Sequence, residues 1–203
     1  MKLLVATRSA GKRSEVARLL AASGWELVFP DEAGVLRSQE EDRLELHDSF
    51  AANARAKAEY FAKQTGLPTV ADDSGLEVFS LGGEPGVRSR RWAGVEGTEA
   101  EVEAANNAFL LRRLSGAPEP RRRARYRCVL ALYRKPKGFP ELFEGACSGR
   151  ILEAPEGTSG FGYDPLFWSD DLGKSFGMAT PEEKDAVSHR ARAFAALREA
   201  LSQ

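Results

Sequence analysis

Histidine and cysteine are scarce in this chain of 203 residues, with two of each. His47 and His189 are too few for a His-rich metal centre. Cys128 and Cys147 lack CxxC spacing, which excludes a structural zinc site and implies no disulfide framework. No apolar run is long enough to span a membrane, and Met1-Lys2-Leu3 leads into a strand-like run instead of a signal peptide. Neither sign of charge is in excess: 29 Lys and Arg against 30 Asp and Glu leave a formal net charge of −1. That balance argues against an extended nucleic-acid surface. An ordinary globular composition remains, 42% hydrophobic and 29% charged, so the expectation is a cytoplasmic protein with one domain over residues 1–203.

The chain is organised around Leu67-Pro68-Thr69-Val70-Ala71-Asp72-Asp73-Ser74-Gly75-Leu76-Glu77-Val78. Two short apolar runs read as strands, and Asp-Asp-Ser-Gly between them reads as a tight turn. Adjacent strand residues point to opposite faces, so two neighbouring Asp converge on one site only where the strand breaks. Paired carboxylates at a strand end suit a hard divalent cation such as magnesium carrying a phosphorylated substrate. The same four residues also make an Asx-type turn with two solvated Asp.

Elsewhere the spacing predicts a strand over Lys2–Ala6, a small-residue loop Thr7-Arg8-Ser9-Ala10-Gly11-Lys12, and a helix over Arg13–Ala22. This layout suits phosphate, because free backbone N–H groups and a helix N-terminus both favour an anion. It is no Walker A loop: Ala6 replaces the first Gly and Arg13 follows the Lys. Residues 30–47 are acidic and aperiodic and offer Glu40, Glu41, Asp42 and Glu45 as ligands. Asp48 or Ser49 then caps a helix through Thr65 that carries Asn53 and Lys57 one turn apart. Thr98-Glu99-Ala100-Glu101 and Thr180-Pro181-Glu182-Glu183 are capping boxes. The second opens one helix running through Lys184, Ser188, His189 and Arg190. Arg121–Arg125 is a basic cluster without an aromatic stacking platform, and Lys135–Gly138 reads as a hairpin turn. In Gly157–Pro165 a glycine-rich loop holds Phe161, Gly162, Tyr163 and Asp164, a set suited to gripping a flat heterocycle by stacking and an edge hydrogen bond.

Five stretches, taken in order, resemble the inosine triphosphate pyrophosphatase family. They are Ala6–Lys12, Phe50–Ala58, Ala71–Leu76, Gly160–Pro165 and Glu183–Arg190. The resemblance implies an α/β fold with a long central mixed sheet, two flanking lobes and an active-site cleft between them, assembled as a homodimer. It implies magnesium-dependent hydrolysis of ITP, dITP or XTP to the monophosphate and pyrophosphate. By position, Thr7, Arg8, Ser9, Ala10, Gly11, Lys12 and Lys57 would meet the phosphates, and Asn53 would bind substrate. Glu45 and Asp73 would hold magnesium, Asp73 would activate water, and Ser74 would touch substrate. Phe161, Gly162, Tyr163, Asp164, Lys184, His189 and Arg190 would form the base pocket. Two positions depart from the family pattern: Ser9 stands where Asn is common, and His47 where Gly is common. Two other readings stay open. A pyrophosphatase for modified pyrimidine nucleotides would share the phosphate side, and a non-catalytic nucleotide- or RNA-binding module would use Arg121–Arg125.

Overall fold

The computed structural model describes residues 1–21, 23–135 and 138–201. Its strands are β1 (Lys2–Val5), β2 (Glu26–Val28), β3 (Thr69–Val78), β4 (Arg123–Tyr133), β5 (Glu141–Ile151), β6 (Phe167–Ser169) and β7 (Lys174–Ser175). Its α-helices are α1 (Ala10–Leu19), α2 (Phe50–Thr65), α3 (Glu99–Arg113), α4 (Pro181–Val187) and α5 (His189–Leu201). The strands form a seven-stranded sheet in the order β2-β1-β3-β4-β5-β6-β7. It is mixed: β1 runs parallel to β2 and β3, while β6 runs antiparallel to β5 and β7. The α/β class is therefore the one expected.

Two compact units divide the chain. The first takes Met1–Asp73, Cys128–Gly145 and the chain from Arg190 onward; the second takes Ser74–Arg127 and Ala146–His189. In the first unit, side chains alternate along each central strand between two helical layers. Leu3, Val5, Val70, Cys128 and Leu130 pack with Val16 and Leu20 of the α1 region and with Phe194 and Leu197 of α5. Leu4, Ala6, Ala71 and Ala131 pack on the other side with Ala54, Ala58 and Phe61 of α2. Strands covered on both faces read as continuous apolar runs, which explains the unbroken burial of Thr69–Asp73. In the second unit, Leu110 and Leu114 from the α3 region close over Leu76, Val78, Tyr126, Phe167 and Phe176.

Local signals set most helix ends. The Ser49 hydroxyl accepts the Ala52 N–H at the start of α2, and Gly66 in a left-handed conformation (φ 71°) ends that helix. Both capping boxes form, Thr98 with Glu101 and Thr180 with Glu183. The structure corrects three expectations. β3 runs unbroken through Asp72-Asp73-Ser74-Gly75, where a turn was expected. Helix α1 begins at Ala10 instead of Arg13, so Ala10, Gly11 and Lys12 form its first turn. The single helix expected after Thr180 is two, because Ser188 is extended (ψ 157°) between α4 and α5. The expected hairpin at Lys135–Gly138 includes Pro136 and Lys137, which lie outside the described residues.

Candidate active site

Because β3 stays extended, Asp72 and Asp73 point to opposite faces, and each meets the helical layer on its side. Asp72 accepts an ion pair from Lys12 Nζ at 3.0 Å and from Arg190 Nη2 at 3.3 Å. Arg190 Nη1 also donates to Glu15 of α1. Asp73 accepts Asn53 Nδ2 at 2.9 Å and lies 3.7 Å from Lys57 Nζ, both from α2. Lys57 Nζ in turn bonds Glu45 Oε1 and the Asp72 carbonyl oxygen, each at 2.5 Å. The pair of aspartates thus joins two half-sites through one strand. Glu15, Lys57, Asp72, Asp73 and Arg190 are all below one-tenth exposed. Buried charges survive only when paired and hydrogen-bonded, and here four acids face three cations.

The electrostatics separate the two aspartates. Burial pushes Asp72 up, but Lys12, Arg190 and Lys57 outweigh it and hold the carboxylate well below its ordinary range. Burial dominates at Asp73 and leaves it raised, although Lys57 and Lys12 pull the other way. Lys57, against the effect of its burial, lowers half-buried Glu45 to about 2. Asp73 is therefore the member of this set that takes up a proton most readily.

The loop before α1 adds Thr7, whose hydroxyl accepts the Ser9 N–H at 3.3 Å. Ser9 is the N-cap residue of α1, with its backbone extended. Arg8 holds Glu41 with two bonds of 2.7 and 2.8 Å and the Val35 carbonyl at 2.9 Å. Its visible task is thus to tie residues 35–41 to the loop. Asn53 also accepts the His47 N–H at 2.9 Å. A backbone donor serves there, so the departure from Gly at position 47 leaves that bond intact.

In the second unit, several donors gather on Asp164, a 2% exposed carboxylate. Lys184 Nζ reaches it at 2.5 Å, the Phe161 N–H at 2.9 Å, and the Tyr126 hydroxyl donates as well. Burial and then the Asp164 charge push the Tyr126 phenol well above its usual range, so it remains a neutral donor. Lys184 also lies over the Phe161 ring, 4.9 Å from its centroid. His189 stacks on Tyr126 at 4.6 Å with the planes 9° apart. Gly160 has φ 77°, and a Cβ there would fall 2.1 Å from Asp164 Oδ2, so the loop needs glycine at this point. Tyr163 turns away and donates to the Ser89 carbonyl at 2.8 Å. Arg190 separates from this group, since its guanidinium lies on Glu15 and Asp72 while the preceding His189 stays with Tyr126. Ser74 follows Asp73 in β3, half-buried.

A family model described as the Ham1 family matches residues 3–200. The chain belongs to the Ham1 family. It is 45% identical to the dITP/XTP pyrophosphatase of Frankia alni over 195 residues, 96% of this chain and 94% of that one. It is also 45% identical to the dITP/XTP pyrophosphatase of Thermus thermophilus, over 98% of this chain and 91% of that one. Among solved structures, a HAM1 protein from Coxiella burnetii superposes with a TM-score of 0.85 at 33% identity, covering 100% and 98% of the two chains. A nucleoside-triphosphatase / dITP/XTP pyrophosphatase from Mycobacterium abscessus gives 0.74 at 44% identity, covering 97% and 98%. The family expected from the five stretches is the family found.

Within this Ham1 chain the sequence reading passed over Glu15 and Tyr126. A signal existed for Glu15: it sits beside Val16 and one turn before Leu19, on the side of α1 that faces inward. Tyr126 carried none, since an aromatic in a strand is ordinary core. The basic cluster is consumed structurally. Arg122 is buried and donates to the carbonyls of Leu114, Ile151 and Leu152, Arg123 pairs with Asp170, and Arg125 pairs with Glu77.

The depressed carboxylates set the sign of acid stability. A group whose folded pKa is lowered contributes stability above its unfolded value, near 4, and loses it as pH falls through the folded one. Asp72 and Glu45 act in this sense, and Asp73, which is raised, opposes them. In EDTA the melting temperature should therefore fall between pH 6 and pH 3, with about 5–10 °C of the loss arising here. Asp72→Asn should lower stability at pH 6 and flatten the slope. An unchanged slope in that variant would remove the ion pairs as its cause.

Proposed function

We propose that this protein hydrolyses the non-standard purine nucleoside triphosphates ITP, dITP and XTP to the monophosphate and pyrophosphate, removing them from the nucleotide pool. One observation carries the reading. A buried aspartate of raised pKa, Asp73, stands among Lys12, Lys57 and Asn53 in a Ham1 chain 45% identical to dITP/XTP pyrophosphatases. The first turn of α1 offers backbone N–H groups, Thr7 and Ser9 offer hydroxyls, and Lys12 offers an ammonium near the end of β1, a set suited to holding a polyphosphate. Asp73 orients a water and takes its proton as the oxygen attacks the α-phosphorus. The bond from that phosphorus to the bridging oxygen breaks, and pyrophosphate leaves. Lys12 and Lys57 balance the charge that builds on the phosphate oxygens.

Glu45 and Asp73 fit a magnesium ion. Both are hard oxygen donors converging on Lys57 Nζ, and magnesium commonly takes one or two protein carboxylates with phosphate oxygens and water completing its shell. When bound, it supplies positive charge to the triphosphate and helps polarise the reacting phosphorus. On the base side, Phe161 offers a stacking face, and Lys184 offers a buried donor to a 6-oxo group. Adenine would present a 6-amino donor to that donor, and an unmatched buried polar group costs about 1–3 kcal/mol.

No described helix is long and apolar enough to cross a membrane, in keeping with a cytoplasmic enzyme, and the family likeness supports a homodimer. Sedimentation at micromolar concentration checks the latter. The test of function is pyrophosphate release across ITP, dITP, XTP, ATP, GTP, dUTP and dTTP, with magnesium and with EDTA. Turnover confined largely to the first three, and lost in EDTA, is the expected result. Equal turnover of pyrimidines would discard the base pocket, and no turnover of any would discard the activity.

A further inference from the structure

Helix α3 directs two side chains one turn apart at the backbone of a single glycine. Asn107 Nδ2 donates to the Gly162 carbonyl at 2.9 Å, and the Glu103 carboxyl, raised by burial, is eased back by the Gly162 N–H it lies beside. The Gly162 N–H belongs to the peptide that follows Phe161, and its carbonyl belongs to the peptide that precedes Tyr163. The Asn107 bond therefore fixes the peptide plane after Gly162, with Glu103 set beside the plane before it, and Gly162 itself has a left-handed backbone of φ 64°.

The rest of the loop is tied down along its inner side, by the Glu156 N–H on the Pro165 carbonyl, the Ser159 N–H on the Gly177 carbonyl and the Phe161 N–H on Asp164. Residues 153–160 are exposed, and Phe161 and Gly162 are only half-buried. The Asp164 N–H holds the Phe161 carbonyl at 3.3 Å and the Tyr163 hydroxyl holds Ser89, so what the Asn107 bond adds is the plane between Gly162 and Tyr163, about which glycine would otherwise turn easily. Asparagine is also a poor helix former, and Asn107 lies in the interior of α3, away from both caps. Its use is in the bond it makes. The neighbouring Asn106 acts in the same way on another segment, bonding Ala93 N and Arg90 O.

We propose that Glu103 and Asn107 are positioning residues for nucleobase recognition, clamping Gly162 so that the Phe161 ring is presented at a fixed angle to the base. The proposal rests on the base-pocket reading above and extends it to a helix that contributes none of the residues expected in that pocket. Neither side chain needs to touch the substrate. Loss of the clamp would widen the orientations of Phe161, which weakens the hold on every base and most of all on the one the pocket fits.

The experiment compares wild type with Asn107→Asp, Asn107→Ala, Glu103→Leu and Glu103→Gln, measuring kcat and KM for dITP and dGTP together with melting temperature. Asn107→Asp keeps the volume and turns a donor into an acceptor facing a carbonyl. It should raise KM for dITP about tenfold, hold kcat within about twofold, and reduce the preference for dITP over dGTP. Glu103→Leu should act in the same direction, and Glu103→Gln, which keeps an acceptor, should restore wild-type KM. A merely structural role would lower the melting temperature of all four variants without this split or this rescue. Folded variants with unchanged KM, or with kcat reduced at constant KM, would overturn the clamp. Asn107→Ala decides the matter where Asn107→Asp fails to fold. A wild type that turns over neither dITP nor XTP would overturn the proposed function itself, a result separate from any behaviour of the variants.

Discussion

Replacing Asp73 by asparagine should lower kcat for dITP about a thousandfold while KM changes by no more than about threefold. General-base catalysis contributes roughly 10²–10⁴, so the middle of that range corresponds to about 4 kcal/mol in the barrier. The substitution is close to isosteric. An asparagine carbonyl can still accept Asn53 Nδ2, so β3 and α2 should keep their places. What disappears is the proton acceptor, the property that separates Asp73 from Asp72. Three cations hold Asp72 deprotonated and tightly bound, which makes it a weak base, whereas burial leaves Asp73 raised. A magnesium titration distinguishes two ways in which the variant could lose activity. A base role gives low kcat at every magnesium concentration. A ligand role alone gives activity that recovers as magnesium is raised. Near-wild-type turnover at ordinary magnesium would remove Asp73 from the chemistry altogether.

The contrast between these neighbours also shows what could be read from the chain before folding. Helix starts were legible because their signals are local: a hydroxyl at the cap and Glu three residues later, as at Thr98 and Thr180. The phosphate-type layout around Lys12 and the Asn53–Lys57 spacing were legible for the same reason. The path of Asp72-Asp73-Ser74-Gly75 was not. Its composition is that of a turn, and it stays a strand because helices cover both faces and bring cations to each carboxylate. Those partners lie far away in sequence: Arg190 is 118 residues from Asp72 and 175 from Glu15. Such pairs leave no local periodicity. The break at Ser188 was half-legible, since serine is a common N-cap residue and His189 opens a helix immediately after it. Lys184, His189 and Arg190 read as one cluster on one helix. The break sends Lys184 and His189 to the Asp164–Tyr126 group and Arg190 to Glu15 and Asp72.

That division makes Lys184 the sharpest probe of base selection. Lys184→Met should reduce kcat/KM for dITP by about 10²-fold, lowering the preference for dITP over dATP by a similar factor, because adenine never gained from the donor. The change also strands Asp164, a fully buried carboxylate left with the Phe161 N–H and the Tyr126 hydroxyl. Breaking one side of a buried ion pair typically costs about 3–5 kcal/mol, so a loss of activity alone would be ambiguous. A double variant resolves it. Lys184→Met with Asp164→Asn removes the charge and its partner together, and it should melt above the single Lys184→Met variant. The preference for dITP should stay lost in the double variant, since no ammonium returns to face the 6-oxo group. Recovery of selectivity along with stability would instead mean that the ammonium serves only to neutralise Asp164, and that discrimination comes from the shape of the loop around Phe161.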